Sequence, residues 1–179
     1  AAAEEAAERL RELAQLRPEQ IETPLDSIAA VIALDQFPRN MFRGTPRAFA
    51  TDALALSIAQ HAIAAKFDEQ LTPQQRLFLY MPFQHAEDRA VQARSIELFT
   101  RLGLGENLDY AHRHKEIVDR FGRFPHRNEV LGRESTTAEH RCDSRASTRR
   151  RGSEASTGAG PGWTFSSSSA SATSVARSF

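Results

Sequence analysis

Two short segments in this chain repeat a Phe-Pro step that is followed by an arginine and an asparagine. They are Phe37-Pro38-Arg39-Asn40 and Phe124-Pro125-His126-Arg127-Asn128. A guanidinium binds a carboxylate or a phosphate through parallel hydrogen bonds, and an amide adds directional ones. Proline stiffens the bend and so lowers the entropy lost on binding. The pattern predicts a site for a small anion or an acidic peptide end, formed by Arg39, Asn40, Arg43, Arg127 and Asn128.

The same segments also have a purely structural interpretation. Each arginine can pair with a carbonyl group at a helix end or with a buried carboxylate such as Asp35, and each asparagine can close a turn. A shared ligand requires the two bends to lie side by side, whereas the structural role requires only that each contact its own neighbouring helix. Our first hypothesis is a helical binding or scaffold domain, and the structural alternative stays open.

A second candidate group is the segment Phe83-Gln84-His85-Ala86-Glu87-Asp88. His85 and Asp88 have the spacing at which side chains meet on one helix face. With a further ligand they would bind a divalent metal, or they would act as an acid and a base. Acidic residues in a first helical turn also simply favour the helix dipole. The alternative hypothesis is a metal-assisted or acid/base hydrolase that uses His85, Glu87, Asp88 and His126.

The other histidines fit structural roles. His61 and His114 lie on apolar faces of predicted helices, and His112 lies beside Glu116 on the opposite, solvated face. The chain contains no Gly-x-Ser-x-Gly nucleophile motif, phosphate loop, dinucleotide fingerprint or Cys-x-x-Cys pair. We therefore predict no cofactor, and no nucleophile can be named.

Composition limits the class of protein. The net charge is +0 and 40% of the residues are hydrophobic, a balance that is ordinary for a globular protein and does not favour nucleic acid as a partner. The longest apolar run, 28–34, is much shorter than the roughly 20 residues of a membrane helix. Cys142 is the one cysteine, so no internal disulfide forms. We expect a cytoplasmic protein that does not enter a membrane; composition leaves its oligomeric state open.

Nearly everything to residue 134 has the signals of helices and turns, and no window alternates apolar and polar residues long enough to predict a strand. Thr23-Pro24 and Thr72-Pro73-Gln74-Gln75 are helix-starting patterns. Proline lacks an N–H donor, so we expect one helix to end near Phe37 and another before Pro82. The predicted helices cover 2–16, from Pro24 to about Phe37, from Asp52 to about Lys66, from Pro73 to before Pro82, from Ala86 to Leu102, and from Asn107 to Gly122.

The helix that begins at Asp52 carries apolar residues on two opposite sides, which is typical of a helix packed between two neighbours. This pattern predicts an all-α fold of stacked antiparallel helical hairpins over residues 1–137. Residues 138–179 are rich in serine and arginine and have too few apolar residues to offset the entropy of ordering. We expect a disordered tail there, and Thr136-Thr137-Ala138-Glu139 reads as a helix cap with no amphipathic helix after it. We interpret the tail as out-of-frame or otherwise non-native sequence, and a third hypothesis is a truncated, non-functional relic.

Three long stretches resemble the uncharacterised, mainly bacterial domain-of-unknown-function family 924. They are LDQFPRN-MFRGTPRAFATD, LFLYMPFQHAED and ENLDYAHRHKEIVDRFGRFPHRNEVLGREST. The resemblance covers roughly 24–137 and implies a tetratricopeptide-like helical fold. The family has no established activity, so the resemblance implies no catalytic residues. The chain departs from the family in lacking an aromatic-rich upstream helix and the helix after Glu139, so we expect an incomplete N-terminal helix.

Overall fold

Capping residues set the helix starts, and a computed structural model of the chain, which describes residues 2–140, shows three of them. Thr23 accepts a hydrogen bond from the N–H of Asp26 at 3.1 Å, and Thr72 forms the predicted reciprocal capping box with Gln75. Asp88 accepts from the N–H of Val91 at 2.9 Å. Because Asp88 is the cap, the helix that follows it begins at Arg89 and not at Ala86, where the sequence predicted its start.

Seven α-helical segments lie within residues 2–140, and no strand occurs among these residues, so the all-α prediction is confirmed. None of these helices has both the length and the apolar character needed to cross a membrane. The segments are α1 (Ala2–Leu13), α2 (Pro24–Val31), α3 (Phe37–Met41), α4 (Asp52–Ala64), α5 (Pro73–His85), α6 (Arg89–Leu102) and α7 (Gly105–Phe121). Short 3-10 turns form at Pro18–Gln20, Pro46–Phe49, Asp68–Gln70 and Pro125–Arg127.

The two predicted proline stops are wrong. α2 continues through a π-helical segment, Ile32–Gln36, into α3, and Pro38 lies within the first turn of α3. In the π segment the N–H of Phe37 donates to the carbonyl of Ile32, five residues back, and this wider turn accommodates the missing donor of Pro38. α5 likewise runs through Pro82 to His85. Pro82 is buried together with Tyr80, Phe83 and Gln84, and this packing outweighs the lost hydrogen bond.

The predicted start of α7 is also wrong. Asn107 and Leu108 both donate their backbone N–H to the carbonyl of Leu104, so the helix already exists where Asn107 was expected to cap it. Its predicted end is correct, because Gly122 follows with φ 71°, a left-handed conformation that glycine adopts without steric cost.

The core of the first unit is built around α4. Four residues on its buried faces are completely inaccessible to solvent: Ala55, Ile58, Ala59 and Ala62. α4 packs against both α2 and α5, which confirms that it lies between two neighbours, and its small alanines let the helix axes approach closely. α5, α6 and α7 then pack against one another in chain order. The tetratricopeptide-like form of this stack stays a prediction.

The chain divides into two units, Ala1–Phe124 and Pro125–Phe179. In the second, the N–H of Thr136 donates to the carboxylate of Glu139 at 2.7 Å, and the N–H of Glu139 donates to Thr136 Oγ1 at 3.3 Å. This reciprocal cap is the one that the sequence pattern indicates, and residues 137–140 form a helical turn. The predicted disordered tail lies, from residue 141 on, outside the described residues, so the boundary at 137 and the tail's non-native origin stay predictions.

Lys66→Gly should stabilise the protein. α4 ends with a bond from the N–H of Phe67 to the carbonyl of Ala62 at 2.8 Å, which places Lys66 in a left-handed conformation at φ 59°. A side chain in that conformation costs roughly 1–2 kcal/mol, and the flexibility of glycine returns part of it. We expect urea unfolding to show a gain of about 0.5–1 kcal/mol. Gly122→Ala, at φ 71°, is the opposite control and should lower stability; equal stability of the Lys66 variant and the wild type would contradict the prediction.

Candidate functional site

The side chain of Asp35 is the centre of a polar cluster in the first unit. It is 0% exposed. Its Oδ1 accepts hydrogen bonds from His85 Nδ1 at 2.7 Å and from Arg39 Nη2 at 3.2 Å, and its Oδ2 accepts from the side-chain amide of Gln36. Three donors therefore satisfy a carboxylate that would otherwise be very costly to bury.

Arg39 connects this carboxylate to a second one. Its Nη2 also donates to both carboxylate oxygens of Asp52, each at 2.9 Å. The guanidinium carbon lies 5.4 Å from the ring centroid of Phe49. We name the four residues His85, Asp35, Arg39 and Asp52 the Asp35 cluster. The cluster joins the end of α5, the π segment, α3 and the start of α4.

The π-helical segment determines where Asp35 points. The additional residue in its wide turn shifts all later residues by about 100° around the axis relative to an uninterrupted α-helix. Leu34 and Asp35 are both fully buried in this segment, the first in the apolar core and the second in the polar cluster. Arg39 follows Asp35 by four residues and so lies on the same face.

Burial and local charge act in opposite directions on the pKa of Asp35. Burial raises the pKa because it disfavours the ionised carboxylate. The charge of His85 and its hydrogen bond, the charge of Arg39 and the hydrogen bond from Gln36 outweigh burial and hold the pKa of Asp35 well below its ordinary value. At neutral pH Asp35 is therefore ionised, and its oxygens only accept hydrogen bonds.

This charge fixes the tautomer of His85. Because Asp35 only accepts, the 2.7 Å contact requires a proton on His85 Nδ1. In the neutral ring the lone pair is then on Nε2. The side chain of His85 is 19% exposed, whereas its partner is fully buried. A carboxylate that orients an imidazole in this way prepares the ring to act as a general base.

Aromatic rings continue from His85 within the first unit. The ring of His114 lies edge-on to that of His85, with 6.5 Å between the centroids, and edge-on to Phe124 at 5.4 Å. His114 Nδ1 donates to the carbonyl of Tyr110 at 2.9 Å. This bond agrees with the predicted structural role of His114, but no pattern in the sequence indicates that His114 lies beside His85.

Several predicted site residues contact their own surroundings. Asn40 Nδ2 donates to the carbonyl of Gln36 at 3.0 Å, and Arg43 is exposed. Asp88 caps α6. Glu87 Oε1 accepts from the N–H of Phe124 at 2.8 Å. Asn40 and Asp88 thus make local contacts of the kind that the structural interpretation describes, whereas Glu87 contacts a backbone N–H 37 residues away, which the sequence did not indicate. The expectation that Arg39 and Asn40 belong to a bend is wrong, because both lie in α3.

The second Phe-Pro-Arg-Asn segment has a different backbone. Its residues Pro125–Arg127 form a 3-10 turn. His126 is exposed, whereas Arg127 and the following Asn128 are buried. Asn128 Nδ2 donates to Ser135 Oγ at 3.0 Å. Residues 37–40 thus lie in an α-helix, whereas only the residues from Pro125 to Arg127 of the second segment form a 3-10 turn. Recognition of one ligand by both segments stays a prediction.

No set of metal ligands among the described residues supports the hypothesis of a metal site. Within residues 2–140 there is no group of three or more histidine, cysteine, aspartate or glutamate side chains arranged to hold a metal ion. Of the two ligands that the sequence suggested, His85 contacts Asp35 and Asp88 caps a helix. The arrangement that the structure does form is a carboxylate–imidazole pair.

Two comparisons with known proteins give matches. The sequence profile of the family described as "Bacterial protein of unknown function (DUF924)" matches residues 2–142, a longer stretch than the motifs alone indicate and one that includes α1. The chain is also similar to a solved structure of a protein of unknown function from Agrobacterium tumefaciens. The two sequences are 44% identical and the structures have a TM-score of 0.65, and the match covers 78% of this chain and 76% of that one. No curated protein matches the chain.

Asp35→Asn should reduce the loss of stability in acid. The pKa of Asp35 is lowered in the folded state, so the unfolded chain binds more protons at acidic pH. The stabilisation is fully present above the ordinary pKa of 3.8 and is lost as the pH falls below it. Thermal melts between about pH 5 and about pH 2 should show a smaller decrease in Tm for the variant than for the wild type. Asp109→Asn, at an exposed position of α7, is the control that should keep the wild-type slope; a wild-type slope in Asp35→Asn would refute the prediction.

Arg39→Leu should destabilise the fold, because it removes a charged partner from a fully buried carboxylate. We expect the free energy of unfolding to fall by about 2–3 kcal/mol, measured by urea denaturation. Arg43→Leu makes the same chemical change at an exposed position nearby and should alter stability by no more than about 0.5 kcal/mol. Equal effects of the two substitutions would show that the Asp35 contact does not stabilise the fold.

Proposed function

Because the chain belongs to the DUF924 family of bacterial proteins of unknown function, we propose a function from the chemistry of its own residues: acid/base hydrolysis with His85 as the general base. The observation that carries the proposal is the 2.7 Å hydrogen bond from His85 Nδ1 to the fully buried carboxylate of Asp35. This bond fixes one tautomer and one ring orientation, which are the two requirements for a base that acts through Nε2.

The proposed reaction uses water directly. His85 Nε2 accepts a proton as the water oxygen bonds to the acyl or phosphoryl centre of an ester, and the protonated ring returns that proton to the leaving oxygen as the ester bond breaks. Asp35 stays ionised and stabilises the imidazolium. The absence of a nucleophile motif in the sequence agrees with direct attack by water rather than with a covalent intermediate.

The distorted helices around the Asp35 cluster support a functional role. π-helical turns are rare and occur often at functional sites, and Asp35 lies within one. His85 is in the last turn of a helix that contains a proline. Buried ion pairs are also a poor source of stability, since apolar residues of similar volume often serve as well or better.

Ligand binding is a second candidate function, supported by a separate observation. Arg43 and Arg47 are exposed, and the guanidinium of Arg47 is held 3.8 Å above the ring centroid of Phe42. These cations would suit a small anion or an acidic peptide end, the ligands predicted for a binding or scaffold domain. Arg39 would contribute indirectly, because it already contacts two carboxylates. A cytoplasmic location and a tetratricopeptide-like stack are parts of both proposals.

Hydrolysis can be tested with chromogenic probes. We expect purified protein to hydrolyse 4-nitrophenyl acetate or 4-nitrophenyl phosphate faster than buffer does, and His85→Gln and Asp35→Asn to lower kcat/KM by about 10²–10⁴-fold, the usual contribution of a positioned base. His112→Gln is the matched control, because His112 is exposed on α7; it should retain the wild-type rate. Hydrolysis that survives in His85→Gln, or no hydrolysis of either probe by the wild type, would count against the proposal.

A further inference from the structure

The buried side-chain amide of Gln92 binds the backbone on both sides of His85. Gln92 lies on α6 and is 0% exposed. Its Nε2 donates to the carbonyl oxygens of Gln84 and Ala86, both at 2.8 Å. Because Gln84 and Ala86 are the immediate neighbours of His85 in the chain, one amide group holds the peptide segment that carries the imidazole.

This contact lies where α5 ends and the backbone would otherwise lack donors. Helix α5 ends at His85, and Ala86 has an extended conformation with φ −73° and ψ 137°. The last carbonyl groups of a helix have no partner within it. The side chain of Gln84 is fixed as well, since its Nε2 donates to the carbonyl of Asn107 at 3.2 Å. α6 and the start of α7 thus anchor the end of α5.

The side-chain carbonyl oxygen of Gln92 indicates that glutamine is not the most stabilising residue at this position. Gln92 Oε1 is buried and has no hydrogen-bond partner among residues 2–140. A buried acceptor without a donor costs about 1–3 kcal/mol. An apolar side chain of similar shape would avoid that cost, so stability alone gives a weak reason for an amide at this position.

We infer that Gln92 is a positioning residue for His85. Its two hydrogen bonds hold the backbone at 84–86 so that His85 Nδ1 remains aligned with Asp35 Oδ1. A backbone shift of about 1 Å would lengthen the His85–Asp35 contact beyond hydrogen-bonding distance. The catalytic meaning of this positioning rests on the proposed function, but the positioning itself is measurable without any substrate.

The test compares Gln92→Met with Ser95→Ala by NMR on protein labelled with 15N-histidine. Methionine keeps the length and approximate shape of glutamine and has no amide donor. Ser95 lies on the same buried face of α6, and its hydroxyl has no hydrogen-bond partner among residues 2–140. Ser95→Ala therefore reports the general effect of a substitution on that face. The Nδ1–H signal of His85 is assigned by its loss in His85→Gln.

We expect the Nδ1–H proton of His85 to exchange with water at least about tenfold faster in Gln92→Met than in the wild type, because local opening of the segment becomes easier. Ser95→Ala should keep the wild-type rate. If Gln92→Met does not fold, Gln92→Leu replaces it. An unchanged exchange rate in a folded Gln92 variant would overturn the inference. So would failure of both variants to fold, which would assign the amide to folding alone. A wild type without esterase activity would remove the proposed function and leave the NMR outcome unaffected.

Discussion

The negative charge of Asp35, buried without any exposure, is the constraint on which the rest of the first unit depends. An isolated carboxylate in such a place costs several kcal/mol, and only good geometry with several donors offsets this cost. Here the donors come from His85 on α5, Arg39 on α3 and the adjacent Gln36. The carboxylate is therefore satisfied only when these segments are in one particular register.

Apolar packing alone would leave that register poorly defined. The buried faces of α4 consist largely of alanines, whose small and similar surfaces tolerate sliding between helices better than interlocking large side chains do. Arg39 extends the polar contacts to Asp52 at the start of α4, so the Asp35 cluster fixes how α4 lies relative to α3 and α5. Polar contacts thus specify one arrangement among several that the apolar faces would permit.

Local chemistry was readable from the sequence wherever the interacting residues are within about one helical turn. The caps at Thr72 and Thr136 were predicted from residues three positions away and the cap at Thr23 from the adjacent Pro24, and all three form. The pairing of Arg39 with Asp35 was named as the structural alternative for the same reason. The proline stops failed because the wide π turn before Pro38 accommodates its missing donor, and because the burial of Pro82 within α5 outweighs its local preference.

The sequence by itself determined the helical class, the capped helix ends and the family, because these depend on neighbouring residues and on long recognisable stretches. Only the tertiary structure decided that His85 contacts Asp35, 50 residues away in the chain, rather than the nearby Asp88. The physical reason is burial. Removal from water strengthens the electrostatic attraction between an acid and an imidazole. Whether Asp35 or Asp88 is removed from water depends on how the helices pack, which the sequence does not show.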